Sequence, residues 1–164
     1  MITKTRTSVL FVCTGNIFRS VAAEYGLRDA LLPRRDVPVF SAGTEDYPYM
    51  VRANVRDYLL EKGIDVRNHA RRTLTRAVLD ESRLVVAMST DHRSFLIERF
   101  GIEVPLFTEA CGGAAEALPD IEEVVSDYRT NAAAVDAHVR HTIDRIIALA
   151  PAMARRIDAL LARH

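Results

Sequence analysis

The chain of 164 residues has only two cysteines, Cys13 and Cys111, and no excess charge of either sign, with 22 Lys plus Arg against 22 Asp plus Glu. So few thiols exclude a disulfide-stapled scaffold and point to a reducing compartment, the cytoplasm. Charge balance argues against nucleic-acid binding, which calls for a basic face. Long apolar runs are also missing. The first, Ser8-Val-Leu-Phe-Val12, follows the charged start Met1–Arg6 and is too short for a signal-peptide core or a membrane span. No lipidation signal and no internal repeat are present. The histidines lack metal-ligand spacing. His138 and His141 lie one helical turn apart without a partner ligand, so a surface face is expected there and no zinc site. What remains is ordinary globular composition, 49% hydrophobic. The length suits one domain, 1–164, with about 151–164 as a C-terminal helical extension.

Strand-like and helix-like segments alternate along the chain. Strands are expected at Ser8–Cys13, Val37–Ser41, Arg83–Met88 and Val104–Phe107. Helices are expected from Arg19 to about Leu32, over Met50–Lys62 closed by Gly63, over Thr75–Glu81, and over Thr90–Phe100 closed by Gly101. A last helix starts near Asn131, carries Val135, Val139, Ile143 and Ile146 on one face, and is expected to be interrupted at Pro151, with Ala152–Leu161 continuing as helix. This order predicts an α/β fold: a three-layer sandwich with a four-stranded parallel sheet and helices on both faces. Thr108–Thr130 reads as a long loop without a clear helix, and loops of that length are commonly functional.

The chemistry concentrates in Cys13-Thr-Gly-Asn-Ile-Phe-Arg-Ser20, a strand-to-helix turn at the carboxyl end of the first strand. Amides in such a turn converge on an anion, which makes Thr14, Gly15, Asn16, Ile17, Phe18 and Ser20 the oxyanion-binding loop. Gly15 lets the chain curve, and Asn16 tolerates a left-handed conformation. Arg19 offers a planar fork of donors that matches two phosphate oxygens. A helix start and a nearby cation favour the thiolate form of a cysteine, and Ser20 can donate to the sulfur. Cys13 is the expected nucleophile.

These residues resemble the phosphate loop of the low-molecular-weight protein tyrosine phosphatases. Ser41-Ala-Gly-Thr44, Glu61–Val66 with His69–Leu74, and Leu84–Met88 with Asp91-His92 resemble further segments of that family in order. The resemblance implies hydrolysis of aryl phosphate through a cysteinyl-phosphate intermediate, with no cofactor and no metal. It implies that Ser41 and His69 brace the loop through Asn16, and that Tyr47, Tyr49 and Tyr128 line the pocket rim. Its implied partners are a phosphotyrosine protein, such as a bacterial tyrosine kinase, and phosphate or other oxyanions, but neither nucleic acid nor membrane. Three departures stand out. Phe18 replaces the family's second cysteine, Val21 replaces a proline, and no Asp-Pro occurs to mark the general acid.

The acid should lie on the long loop, which offers Asp120, Glu122, Glu123 and Asp127. Asp120 follows Leu118-Pro119, and Asp127 precedes Tyr128. The resemblance implies a fairly fixed distance from the acid to the apolar positions of the last helix; counting back from Val139 and Ile143 without a gap then favours Asp127, with Asp120 as the alternative. Phosphotyrosine phosphatase is therefore the leading expectation. Thiol-dependent arsenate reductase shares the loop, but the single remaining Cys111 counts against it. A non-catalytic phosphate-binding module is the third, motivated by the three departures.

Overall fold

The computed structural model describes residues 7–164; the charged start Met1–Arg6 lies outside the described residues. The elements in chain order are β1 (Val9–Cys13), α1 (Arg19–Leu31), β2 (Val39–Gly43), α2 (Ala53–Glu61), α3 (Arg76–Asp80), β3 (Leu84–Ala87), α4 (Thr90–Phe100), α5 (Phe107–Ala110), α6 (Ile121–Val124) and α7 (Ala132–Arg163). Three strands form a parallel sheet in the order β2-β1-β3, with Val9 opposite both Val39 and Leu84.

β1 is buried along its whole length, as a central parallel strand must be. Its side chains alternate between two cores. Val9, Phe11 and Cys13 enter a cluster with α1, α2, α5 and α7, whereas Leu10 and Val12 enter a smaller one with Leu79 of α3 and Leu96 of α4. Helices thus cover both faces, and Cys13 ends β1 on the side of the larger core.

The sheet has three strands where four were expected. Around 104–107 only Leu106 bridges, in parallel to Ala87. The reason is local. Pro105 accepts from the Ala87 amide at 3.0 Å but has no N–H with which to extend the pairing. Phe107 already begins α5, whose Glu109 carboxylate caps the Leu106 amide at 2.8 Å. The ladder stops after one rung.

α7 is one continuous helix across Pro151, and Met153, Ile157 and Leu160 beyond it pack into the larger core. The apolar stripe continues past the proline, so burial outweighs the lost backbone bond. Among the described residues no helix is long and apolar enough to cross a membrane.

Candidate active site

β1 delivers Cys13 to the carboxyl edge of the sheet, and residues 14–18 wrap from there to the start of α1. Asn16 takes φ 54°, the left-handed conformation its side chain tolerates. The loop sits hard against the end of β2. A Cβ on Gly43 would lie 2.6 Å from the Thr14 carbonyl oxygen and 2.9 Å from the Gly15 carbonyl carbon. Only glycine permits that approach.

Asn16 is wholly buried and uses every polar site of its side chain. Its Nδ2 donates to Ser41 Oγ (2.7 Å) and to Ser20 Oγ (2.9 Å). Its Oδ1 accepts from the Arg72 amide (3.0 Å) and faces His69 Nε2 at 3.2 Å. Because Ser20 Oγ accepts from Asn16, its own proton is free for Cys13 Sγ, 2.9 Å away. Ser41 Oγ likewise donates to Glu24 Oε2, a buried carboxyl whose pKa burial raises despite the Ser41 bond and the Arg28 and Arg72 charges. A hydrogen-bonded chain therefore runs from Glu24 through Ser41, Asn16 and Ser20 to the sulfur. Burial lowers the His69 pKa to about 4, with the Arg28 charge adding to it, so His69 is neutral and donates through Nε2.

Cys13, Thr14, Gly15, Ile17, Phe18 and Arg19 line the pocket, closed by Tyr47, Arg52, Asp120, Ile121, Glu122 and Tyr128. The side chains of Asn16 and Ser20 do not face it; they lie behind the loop and can contact a ligand only through their amides. Phe18 is almost fully buried, with its ring 6.3 Å from that of His138. Tyr47 and Tyr128 stand at the rim. Tyr49 is 64% exposed and packs on Tyr47, with ring centroids 5.9 Å apart, without lining the pocket.

The two candidate acids are placed differently. Asp120 lines the pocket, with Oδ2 accepting from Arg19 Nη2 at 2.8 Å. Arg19 Nη1 donates to the Leu118 carbonyl at 2.9 Å, so the arginine fork grips the loop that carries Asp120. Asp127 is exposed, lies outside the pocket lining and accepts from Asn131 Nδ2 at 3.0 Å. The gap-free count that favoured Asp127 misses α6. Asp120 caps that short helix through the Ile121 amide (2.8 Å), and the turn takes up the intervening residues.

Four residues, His92, Arg71, Arg72 and His138, support the site in ways the sequence did not suggest. His92 accepts the Ser89 amide at Nδ1 (3.2 Å), which leaves Nε2–H for Thr14 Oγ1 at 2.9 Å. Burial, reinforced by the Arg19 charge, lowers its pKa to about 3. Arg71 Nε donates to the Gly15 carbonyl (2.8 Å), and the Arg72 amide holds Asn16. His138 is buried, contrary to the surface position expected, and its Nε2 donates to the Pro119 carbonyl at 3.1 Å, pinning the Asp120 loop to α7. Cys111 is buried in the larger core, and burial pushes its thiol up to about 12.

A family model described as low molecular weight phosphotyrosine protein phosphatase matches residues 8–159. The chain is 38% identical over 95 residues to a protein-arginine-phosphatase of Geobacillus stearothermophilus, covering 56% of this chain and 61% of that protein. It is 33% identical over 87 residues to an arsenate reductase of Staphylococcus aureus, covering 53% and 63%. These matches span less than two thirds of either relative. Among solved structures, Vibrio vulnificus Wzb in complex with benzylphosphonate is 27% identical with a TM-score of 0.72, covering 92% of this chain and 99% of that one.

Proposed function

Because this chain belongs to the low molecular weight phosphotyrosine protein phosphatase family, we propose that it hydrolyses phosphotyrosine in proteins, with Cys13, Arg19 and Asp120 as its catalytic residues. One observation carries the reading: these three, from the end of β1, the start of α1 and the loop before α6, line one pocket with loop amides at its base. The sulfur of Cys13 attacks phosphorus, and the bond to the tyrosine oxygen breaks. The Asp120 carboxyl gives its proton to that oxygen. Water then attacks the cysteinyl phosphate, its proton goes to the Asp120 carboxylate, and the S–P bond breaks to release phosphate and thiolate. Arg19 and the amides balance charge on the phosphoryl oxygens throughout.

Tyr47, Tyr128 and Phe18 supply flat apolar walls that suit an aryl ring. Ser41 and His69 act as loop supports through Asn16. The catalytic domain covers the described chain, with 151–163 as the end of α7. Its setting is the cytoplasm, and a bacterial tyrosine kinase is the kind of phosphoprotein it would meet. The arsenate reductase reading lacks a second reactive thiol, since Cys111 is buried and stays protonated at neutral pH.

The test is hydrolysis of p-nitrophenyl phosphate and of a phosphotyrosine peptide by the wild type, Cys13→Ser, Asp120→Asn and Asp127→Asn. Cys13→Ser should abolish turnover. Asp120→Asn keeps the helix cap and should lower kcat by roughly 10²- to 10⁴-fold, erasing the basic limb of the pH–rate profile. Asp127→Asn should leave both unchanged. Loss of the limb in Asp127→Asn alone would reverse the acid assignment, and arsenate-dependent thiol consumption without phosphate release would replace the phosphatase reading.

A further inference from the structure

A second, more open groove adjoins the catalytic pocket, and Arg52 and Tyr128 line both. Its wall is apolar where Val135 of α7 lies buried. Two guanidinium groups flank it. Among the described residues Arg52 makes no side-chain hydrogen bond or ion pair. Arg129 donates only to the Tyr128 hydroxyl (Nε, 3.1 Å) and lies 5.5 Å from the ring centroid of Tyr128. The groove's own carboxylate, Asp136, is held by Arg140 at 2.8 Å. Glu122, on the rim of the catalytic pocket, acts on Arg129 through space without an ion pair. The groove therefore presents two cations free to take an anion, next to a pocket that fixes a phosphoryl group.

We infer that this groove is a second subsite that takes an acidic side chain flanking the phosphorylated residue of a peptide substrate. The inference rests on the phosphatase reading above. Once an aryl phosphate fills the pocket, the peptide backbone leaves past Tyr128. An extended chain advances roughly 3.3–3.6 Å per residue, so the nearest neighbours in sequence pass over the groove. A carboxylate there matches the donor fork of a guanidinium. The contact is partly exposed, so its effect is modest and weakened by salt.

The experiment compares phosphotyrosine peptides that differ only in flanking Glu, Gln or Lys, with p-nitrophenyl phosphate as a substrate too small to reach the groove. For the wild type at low salt, kcat/KM should fall from Glu to Gln to Lys by roughly two- to fivefold per step, carried by KM and shrinking at high salt. Arg129→Glu should reverse that order and leave p-nitrophenyl phosphate hydrolysis unchanged. Equal values for the three peptides would overturn the inference, as would an equal loss on every substrate in Arg129→Glu. Absence of any turnover would defeat the phosphatase reading, and peptide binding to Cys13→Ser, followed by fluorescence anisotropy, then decides the subsite. Tighter binding of the Glu peptide, reversed by Arg129→Glu, supports it, whereas equal binding overturns it.

Discussion

Phe18 occupies the place next to Arg19 where the resembling family carries a second thiol. In this fold its ring fills the larger core beside His138 and walls the pocket. The substitution trades a redox partner for apolar packing. Cys111, the remaining thiol, is buried and pushed up to about 12, so it is protonated and slow to attack an oxidised Cys13. Sulfenic acid at Cys13 then proceeds to the sulfinic and sulfonic acids, which thiols do not reverse. Peroxide in excess should leave a large fraction of activity unrecoverable by dithiothreitol, read as activity against time of exposure and by mass of the Cys13 peptide. Full recovery would mean that Cys111 reaches Cys13 after all. The grouping of Cys13, Asn16 and Arg19 was legible from sequence because all three lie in one strand-to-helix turn. The choice between Asp120 and Asp127 was not, because both satisfy the same local description and differ only in where α6 puts them.

At the level of elements, the site depends on how closely β2 meets the phosphate loop. Gly43 makes that meeting possible, and the two backbones lie too near for any side chain. Gly43→Ala should force the loop away from β2, destabilising the protein by about 1–3 kcal/mol. A displacement near 1 Å at the nucleophile should also cost about 10²-fold in kcat/KM. Thermal unfolding and aryl phosphate kinetics test both; wild-type kinetics in this variant would show that the loop position does not depend on the contact. The sequence identified the strands through their apolar runs, and Thr90–Phe100 was read with its observed bounds and its Gly101 cap, at φ 70°. The fourth strand failed because a strand exists only as pairing. Val104–Phe107 has strand composition, yet Pro105 lacks the N–H to extend the pairing and Phe107 already begins α5.

Across the whole molecule, polar groups beneath the phosphate loop join sequence-distant elements into one buried network. His69 and His92 sit in it as neutral rings, with pKa values lowered to about 4 and about 3 mainly by burial. An unfolded chain binds a proton at each near the ordinary 6.5, whereas the folded one does not until well below. Between those limits the unfolded state holds more protons, so stability rises with pH and is lost as pH falls from 6.5 toward 4. Glu24 acts in the opposite sense, because burial raises its pKa and its contribution to stability fades as pH rises past the ordinary carboxylate range. The thermal midpoint should therefore fall on acidification from pH 6.5, and His69→Gln, which keeps a donor for Asn16 without titrating, should flatten the slope. An unchanged slope in that variant would show that His69 does not carry the effect.

By itself the sequence determined the loop that carries Cys13 and Arg19 and the alternating architecture around it. Those features arise from contiguous residues: an apolar run, a glycine-containing turn and a helix start are each complete within a few positions. Tertiary structure alone decided which aspartate lines the pocket that holds Cys13, that His138 and His92 hold the loops, that the sheet keeps three strands, and that Arg52 and Arg129 share a groove. Each of those outcomes is a contact between segments far apart in the chain. Its energy depends on distance and burial, which no local pattern encodes.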